Sequence, residues 1–332
     1  MKKILNDPAD YVDEMLEGLC AAHPGYYRRA GSDGRVIARA DGPVQGKVGI
    51  ASGGGSGHLP VFTGYVGRGL IDACAIGEVF SSPNVDQMAE SIRQADGGAG
   101  VLILFGNYGG DVMNFDMARE FVEAEGVPTR TVLVTDDVAS GDKDNRSLRR
   151  GVAGLVYAYK MAGAAAQEGA DLDTVASLAS KAVDACRSIG VALTPCTVPL
   201  VGRPTFELGE DEMEIGMGIH GEPGVRRGPL QSADSIAAEM TAALLDDMPL
   251  SRGDRISILC NSLGATPSEE LYIVYRYVAR QLGEMGVEVV MPTIGRFATS
   301  MEMTGMSLTF CKLDAELERL LMAPCDCPFW KV

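Results

Sequence analysis

Apolar and polar residues follow one another along this chain in blocks whose period changes from one to the next. Behind Asn6-Asp7-Pro8, a capping side chain and a first-turn proline, Val12, Met15, Leu16 and Leu19 recur at helical spacing. This amphipathic helix stops at His23-Pro24-Gly25, so His23 reads as a cap or surface residue. Residues 48–51 form a short apolar strand that empties into a glycine stretch, and residues 86–94 form a helix behind the Ser81-Ser82-Pro83-Asn84 turn. Residues 101–105 are a continuous apolar run bounded by glycines, as a strand buried on both faces should be, and residues 131–134 are another. Alanine-rich helices follow over 154–167 and 174–188, with Gly169 and Gly190 as stops. The alternation predicts an α/β fold whose first unit is a mostly parallel, helix-covered sheet.

Thr-Pro and Val-Pro steps interrupt the pattern over 191–203 and mark a boundary, giving units of 1–190 and 191–332. The second unit reads as strand (255–260), helix (267–285, ended by Gly286), strand (287–291) and strand (307–313), a second α/β arrangement with a mixed sheet. No internal period or low-complexity linker joins the two.

A net charge of -16 leaves no basic face to neutralise phosphate, which argues against nucleic acid and anionic membrane as partners. No stretch of about 18 apolar residues follows Lys2-Lys3 or occurs elsewhere, so neither export nor a membrane span is expected. The eight cysteines include no C-x-x-C pair and sit mostly in apolar segments, as free thiols in a reducing cytoplasm do. Cys325-Asp326-Cys327 has no neighbouring histidine and reads as two free thiols rather than a metal site.

The stretch Ser52-Gly53-Gly54-Gly55-Ser56-Gly57-His58-Leu59-Pro60 is the strongest candidate for a site. It lacks the lysine of a phosphate loop, the glycine spacing of a dinucleotide fingerprint and the final glycine of a nucleophile elbow. A backbone cradle with an imidazole at its rim remains. Of only three histidines, His58 and His220 lie in glycine-rich loops, and Asp111 ends a third loop after the buried strand 101–105. Two imidazoles and a carboxylate supply an acid, a base and a nucleophile.

Ala22-His23-Pro24, the stretch 52–60, Gly77-Glu78-Val79-Phe80-Ser81-Ser82-Pro83, residues 107–111, residues 217–224 and Asn261-Ser262-Leu263-Gly264-Ala265-Thr266-Pro267 together resemble the sugar-binding subunit of dihydroxyacetone kinases, in order and over nearly the whole chain. The resemblance implies that the imidazole of His220 adds to a ketone carbonyl as a hemiaminal. It implies that Asp111 takes the proton from the hydroxyl being phosphorylated, and that His58 assists by hydrogen bonding. It also implies that Gly55, Ser56, Gly57 and Asp111 surround the substrate. Such an adduct selects short ketoses over polyols, which offer no carbonyl to attack. No cofactor is expected in this chain. Nucleotide and magnesium belong to a separate kinase subunit, which uses ATP or carries ADP recharged by a phosphotransferase system, and the chain itself is expected to be a cytoplasmic homodimer.

Leu59 stands where the family usually has an acid, and Gly106 where it usually has lysine. A reshaped pocket that admits a four-carbon ketose such as erythrulose accounts for the pair, as does neutral drift in loops. A ketose-sensing paralogue that regulates transcription through a partner is the alternative function. His220 fits both readings, whereas Asp111 favours the enzyme because a sensor needs no base.

Overall fold

The computed structural model describes residues 2–332. Six strands build the first sheet: β1 (Tyr27–Ala30), β2 (Val36–Arg39), β3 (Gly49–Ser56), β4 (Ala73–Val79), β5 (Val101–Gly106) and β6 (Thr129–Val134), in the order β1-β2-β4-β3-β5-β6. The run β4, β3, β5, β6 is parallel, and β1 and β2 add an antiparallel edge. The second sheet holds β7 (Cys186–Thr194), β8 (Glu212–Ile215), β9 (Arg226–Pro229), β10 (Arg255–Ser262), β11 (Glu288–Val289), β12 (Thr293–Gly295) and β13 (Thr304–Leu313). Its order is β11-β10-β13-β7-β8-β9, with β12 also on β10, and it is mixed: β11 and β12 run parallel to β10 and every other pairing is antiparallel.

Of the helices, α1 (Tyr11–Ala22) ends at His23, whose backbone N–H closes the last turn on Cys20 and Leu19. α2 (Val85–Ala95), opened by an Asn84–Gln87 capping box, and α3 (Gly109–Ala124) cover one face of the first sheet, with Met88, Ile92 and Phe115 packed on Ala51, Ala75 and Ile103. α4 (Gly154–Gln167) and α5 (Leu172–Asp184) cover the other face. α4 is buried from Gly154 to Ala166 because the second sheet lies on its far side. The Tyr159 hydroxyl meets Ser52 Oγ in β3 at 2.6 Å, and two residues earlier the Tyr157 hydroxyl meets Ser257 Oγ in β10 at 2.8 Å. A helix apolar all round is what two flanking sheets require. α6 (Ala233–Asp247) and α7 (Ser268–Met285) close the outer face of the second sheet over a core that includes Met240, Leu244, Val278 and Phe310.

The division expected at 190/191 meets two features of the structure. β7 crosses it and belongs to the second sheet along its whole length. The chain's last segment, α8 (Ala315–Met322) with the short pair β14 (Asp326–Cys327) and β15 (Trp330–Lys331), returns to the first unit. Leu317, Leu320 and Trp330 join the core of the first unit, and Arg68 and Asp326 exchange backbone hydrogen bonds of 3.1 and 2.9 Å. Apolar side chains on α8 have α4 to pack against there, which explains why the tail leaves the second sheet.

The glycine stretch is strand, not loop: β3 runs through Gly53, Gly54 and Gly55 to Ser56, paired with β4. The glycines answer to packing. A Cβ on Gly53 would stand 2.9 Å from the Ala75 carbonyl, one on Gly54 2.2 Å from the Phe62 ring, and one on Gly55 2.7 Å from the Ser81 backbone nitrogen. Missing side chains here let the segments carrying Phe62, Phe80 and Ser81 close over the strand. Gly54→Ala is therefore expected to lower stability by about 1–3 kcal/mol through overpacking, read as a shift of the denaturant midpoint with unchanged slope.

Candidate active site

At the end of β3 the chain turns at Gly57, whose φ of +100° no side-chain-bearing residue adopts without strain, and delivers His58 into the space between the two sheets. The His58 ring is 2% exposed and stacks on Phe80 at 4.9 Å between centroids. The second unit holds it there. Its Nδ1 donates to the Thr299 carbonyl at 2.7 Å, and the Met301 N–H donates to the Gly57 carbonyl at 2.8 Å.

His220 sits on the turn between β8 and β9. Glu222, two residues on, folds back to accept from His220 Nδ1 at 2.8 Å and from its backbone N–H at 2.9 Å. Gly218 makes this possible, since a Cβ there would stand 2.2 Å from the Glu222 carboxylate, and Arg150 backs the carboxylate at 3.9 Å while bonding Asp137 and the Gly216 carbonyl. The two histidines meet with their Nε2 atoms 3.0 Å apart.

Asp111 lies in the first turn of α3, directly after β5, rather than at the tip of a loop. It is 7% exposed, and its Oδ1 finds no hydrogen-bond partner in the protein. His58, Asp111 and His220 line one small, tightly closed cavity, with Gly55, Gly106 and Tyr108 among the other wall residues.

Donor and acceptor roles follow from the partners. Thr299 offers a carbonyl and Glu222 a carboxylate, so both Nδ1 atoms carry hydrogen and each ring turns its Nε2 toward the other. A single proton between the two Nε2 atoms satisfies the 3.0 Å contact. Burial pushes His58 down to about 3, and the neighbouring His220 acts the same way. Burial alone would raise Glu222, but its hydrogen bond and charge attraction to His220 outweigh that and hold it at about 2. Glu222 is thus a fixed anion behind His220, which orients the ring and supports positive charge on it. Burial raises Asp111 to about 6, opposed by Ser82 and by the charge of His220. Two imidazoles that share one proton between their Nε2 atoms, a carboxylate behind one of them and a carboxyl poised near neutrality can together attack a carbonyl, protonate its oxygen and accept a hydroxyl proton.

Of the residues singled out in the sequence, His58, Asp111, His220 and Gly55 share this cavity. Ser56 and Gly57 instead line a cleft on the other side of the turn, together with Leu59, Arg296 and Phe329. Leu59 therefore faces away from the histidine pair, whereas Gly106 is part of the cavity wall. Three contributors carry no assignment in the sequence reading. Glu222 lies in a recognised motif at a spacing that lets a carboxylate fold back on its own turn, which is a usable signal. Tyr108 lies within the recognised residues 107–111, at the position that caps α3. Thr299 acts through its carbonyl, for which the sequence has no signal. Among the described residues no group of three or more His, Cys, Asp or Glu side chains is placed to hold a metal, and no helix is long and apolar enough to cross a membrane.

The Dak1 domain family matches residues 17–329. Over all of both chains this protein is 44% identical to the PTS-dependent dihydroxyacetone kinase 2, dihydroxyacetone-binding subunit DhaK, of Listeria innocua. It is 42% identical to the L-erythrulose kinase of Pectobacterium atrosepticum, covering all of this chain and 56% of that protein. Among solved structures, the dihydroxyacetone kinase operon co-activator DhaQ superposes with a TM-score of 0.89 at 32% identity, over 96% of this chain and 97% of that one. With the family matched across almost the whole chain and a full-length relative at that identity, this protein belongs to the Dak1 domain family, alongside the dihydroxyacetone-binding DhaK subunits.

Proposed function

We propose that this chain is the ketose-binding subunit of a dihydroxyacetone kinase, holding a short ketose as a hemiaminal on His220 and presenting a hydroxyl to Asp111. The observation that carries the reading is the single cavity in which residues from both units converge, with the His58 and His220 Nε2 atoms 3.0 Å apart and Asp111 on the same wall.

The steps follow from the proton inventory. His220 Nε2 gives its lone pair to the carbonyl carbon as the carbonyl π pair moves to oxygen, and the proton first held between the two Nε2 atoms passes to that oxygen. Positive charge then rests on the alkylated His220 ring beside the Glu222 carboxylate, so no net charge enters or leaves the cavity. Asp111 takes the proton from the free hydroxyl as that oxygen attacks the γ-phosphorus of the partner's nucleotide, and the bond from that phosphorus to the bridging oxygen breaks to release ADP. A polyol of the same size has no carbonyl for the first step.

The donor belongs on a partner subunit. β3 pairs with β4 through Gly53, Gly54 and Gly55, its bare glycines are taken up by packing, and His58 stands where a phosphate loop has its lysine. ATP, or ADP recharged by a phosphotransferase system, with magnesium, is accordingly carried by that subunit, and a cytoplasmic homodimer is part of the same reading. Both three- and four-carbon ketoses fit the relatives' names. A ketose-sensing co-activator is the second reading, favoured by the structural likeness to DhaQ. Asp111 weighs against it, because a buried carboxylate with a bare oxygen is a cost that sensing does not require.

His220→Ala is expected to abolish a ketone-dependent mass increase of the intact protein, whereas Asp111→Ala keeps the increase and stops phosphoryl transfer from a cognate partner; loss of the increase in Asp111→Ala assigns that residue to pocket shape instead. Transfer should fall about tenfold per pH unit below about 6 as Asp111 protonates. A carboxyl whose folded pKa is raised loses stability as pH rises from its unfolded value through about 6. Asp111→Asn should therefore unfold with about 3 kcal/mol more free energy at pH 8, a gain that shrinks toward zero below pH 4. Equal stability of the two proteins at pH 8 contradicts the burial of a charged Asp111.

A further inference from the structure

Four side chains on the cavity wall carry polar atoms, His58, Tyr108, Asp111 and His220, and the remaining wall is glycine or apolar residues such as Phe62, Leu155 and Ile219. The proposed reaction employs three of them and leaves Tyr108 without a task. Its phenol oxygen is sealed from solvent and has no hydrogen-bond partner in the protein, the same condition as Asp111 Oδ1 across the cavity. A buried hydroxyl left bare is destabilising, and phenylalanine would fill the same space without that penalty.

Resting on the ketose reading above, we propose that Tyr108 is the specificity residue that hydrogen-bonds the second hydroxyl of the substrate, the one across the carbonyl from the hydroxyl being phosphorylated. The ketose brings three oxygens to this cavity. Its carbonyl oxygen belongs to the histidine pair and its reacting hydroxyl to Asp111, which leaves the far hydroxyl with one polar side chain. Tyr108 is placed beside the centre it would serve: its ring stands edge-on to His220, 4.8 Å between centroids and 81° between planes. Gly106 makes that seat. A Cβ at 106 would lie 3.2 Å from the Tyr108 ring and 3.2 Å from the Gly151 carbonyl, so a side chain there asks the ring to give by a few tenths of an ångström. Neutral hydroxyl to neutral hydroxyl is a contact that distinguishes ketoses by whether that hydroxyl exists.

The test compares two ketones that differ only at this hydroxyl, dihydroxyacetone and hydroxyacetone, binding to the intact wild-type and Tyr108→Phe proteins by calorimetry. Tyr108→Phe should weaken dihydroxyacetone roughly 5- to 50-fold, leave hydroxyacetone within about twofold, and keep or raise the thermal midpoint. Gly106→Ala, which pushes on the ring by a few tenths of an ångström, should weaken dihydroxyacetone in the same direction by a smaller factor. Equal weakening of both ketones, or no change in either, overturns the assignment and gives the hydroxyl to the backbone of the cavity wall. A wild-type protein that binds neither ketone defeats the ketose reading itself, which separates the two failures. A lowered midpoint in Tyr108→Phe contradicts the bare phenol from which the proposal starts.

Discussion

A backbone carbonyl from one unit holds an imidazole from the other. Thr299 accepts from His58 Nδ1, and this single contact fixes the tautomer of His58, the direction of its Nε2 and the distance between the two units at the cavity. Without it the ring could rotate and the Nε2 pair would not form. The neighbouring bonds from Met301 to Gly57 and from the Thr299 hydroxyl to the Leu59 carbonyl make the junction a short ladder rather than a lone tether. β12 and the stretch after it belong to the second unit, so the active constellation exists only in the assembled two-sheet fold.

Burial then sets the chemistry. The same desolvation that keeps His58 neutral lifts Asp111 toward neutrality, while Glu222, partly exposed, stays ionised because His220 and backbone N–H groups bond it. Three groups in one small space therefore occupy three protonation states, decided by which partner each has rather than by depth alone. Helix α4 contributes at a distance: wedged between the sheets and anchored to each by a tyrosine hydroxyl, it keeps the walls of the cavity at a fixed separation.

Much of this architecture was legible because its signals are local. Continuous apolar runs gave β5 and β6, and glycine stops bounded α4 and α7; the helix expected over 174–188 ends instead at Asp184, and Gly190, expected as its stop, lies inside β7. Helix α3 escaped because apolar residues lie on two of its faces, Phe115 and Val122 inward and Met113, Met117 and Phe121 outward, which blurs the 3.6-residue period. The glycine stretch read as a loop because bare backbone suits both ligand approach and close packing, and only the neighbours decide between them. The histidine pair was within reach of motif reasoning. That Ser56 and Gly57 line the cleft beyond the turn was not, since a single left-handed residue at 57 redirects the chain that follows it.

Magnetic resonance on the intact protein reads a bond between His220 and a carbonyl carbon without any intermediary. With a dihydroxyacetone labelled at its carbonyl carbon and nitrogen-labelled histidine, the carbon signal should leave the ketone region for that of a tetrahedral carbon and couple to one imidazole nitrogen, Nε2 of His220. A bound ketose whose carbon keeps its ketone shift, or couples to no histidine nitrogen, contradicts the account.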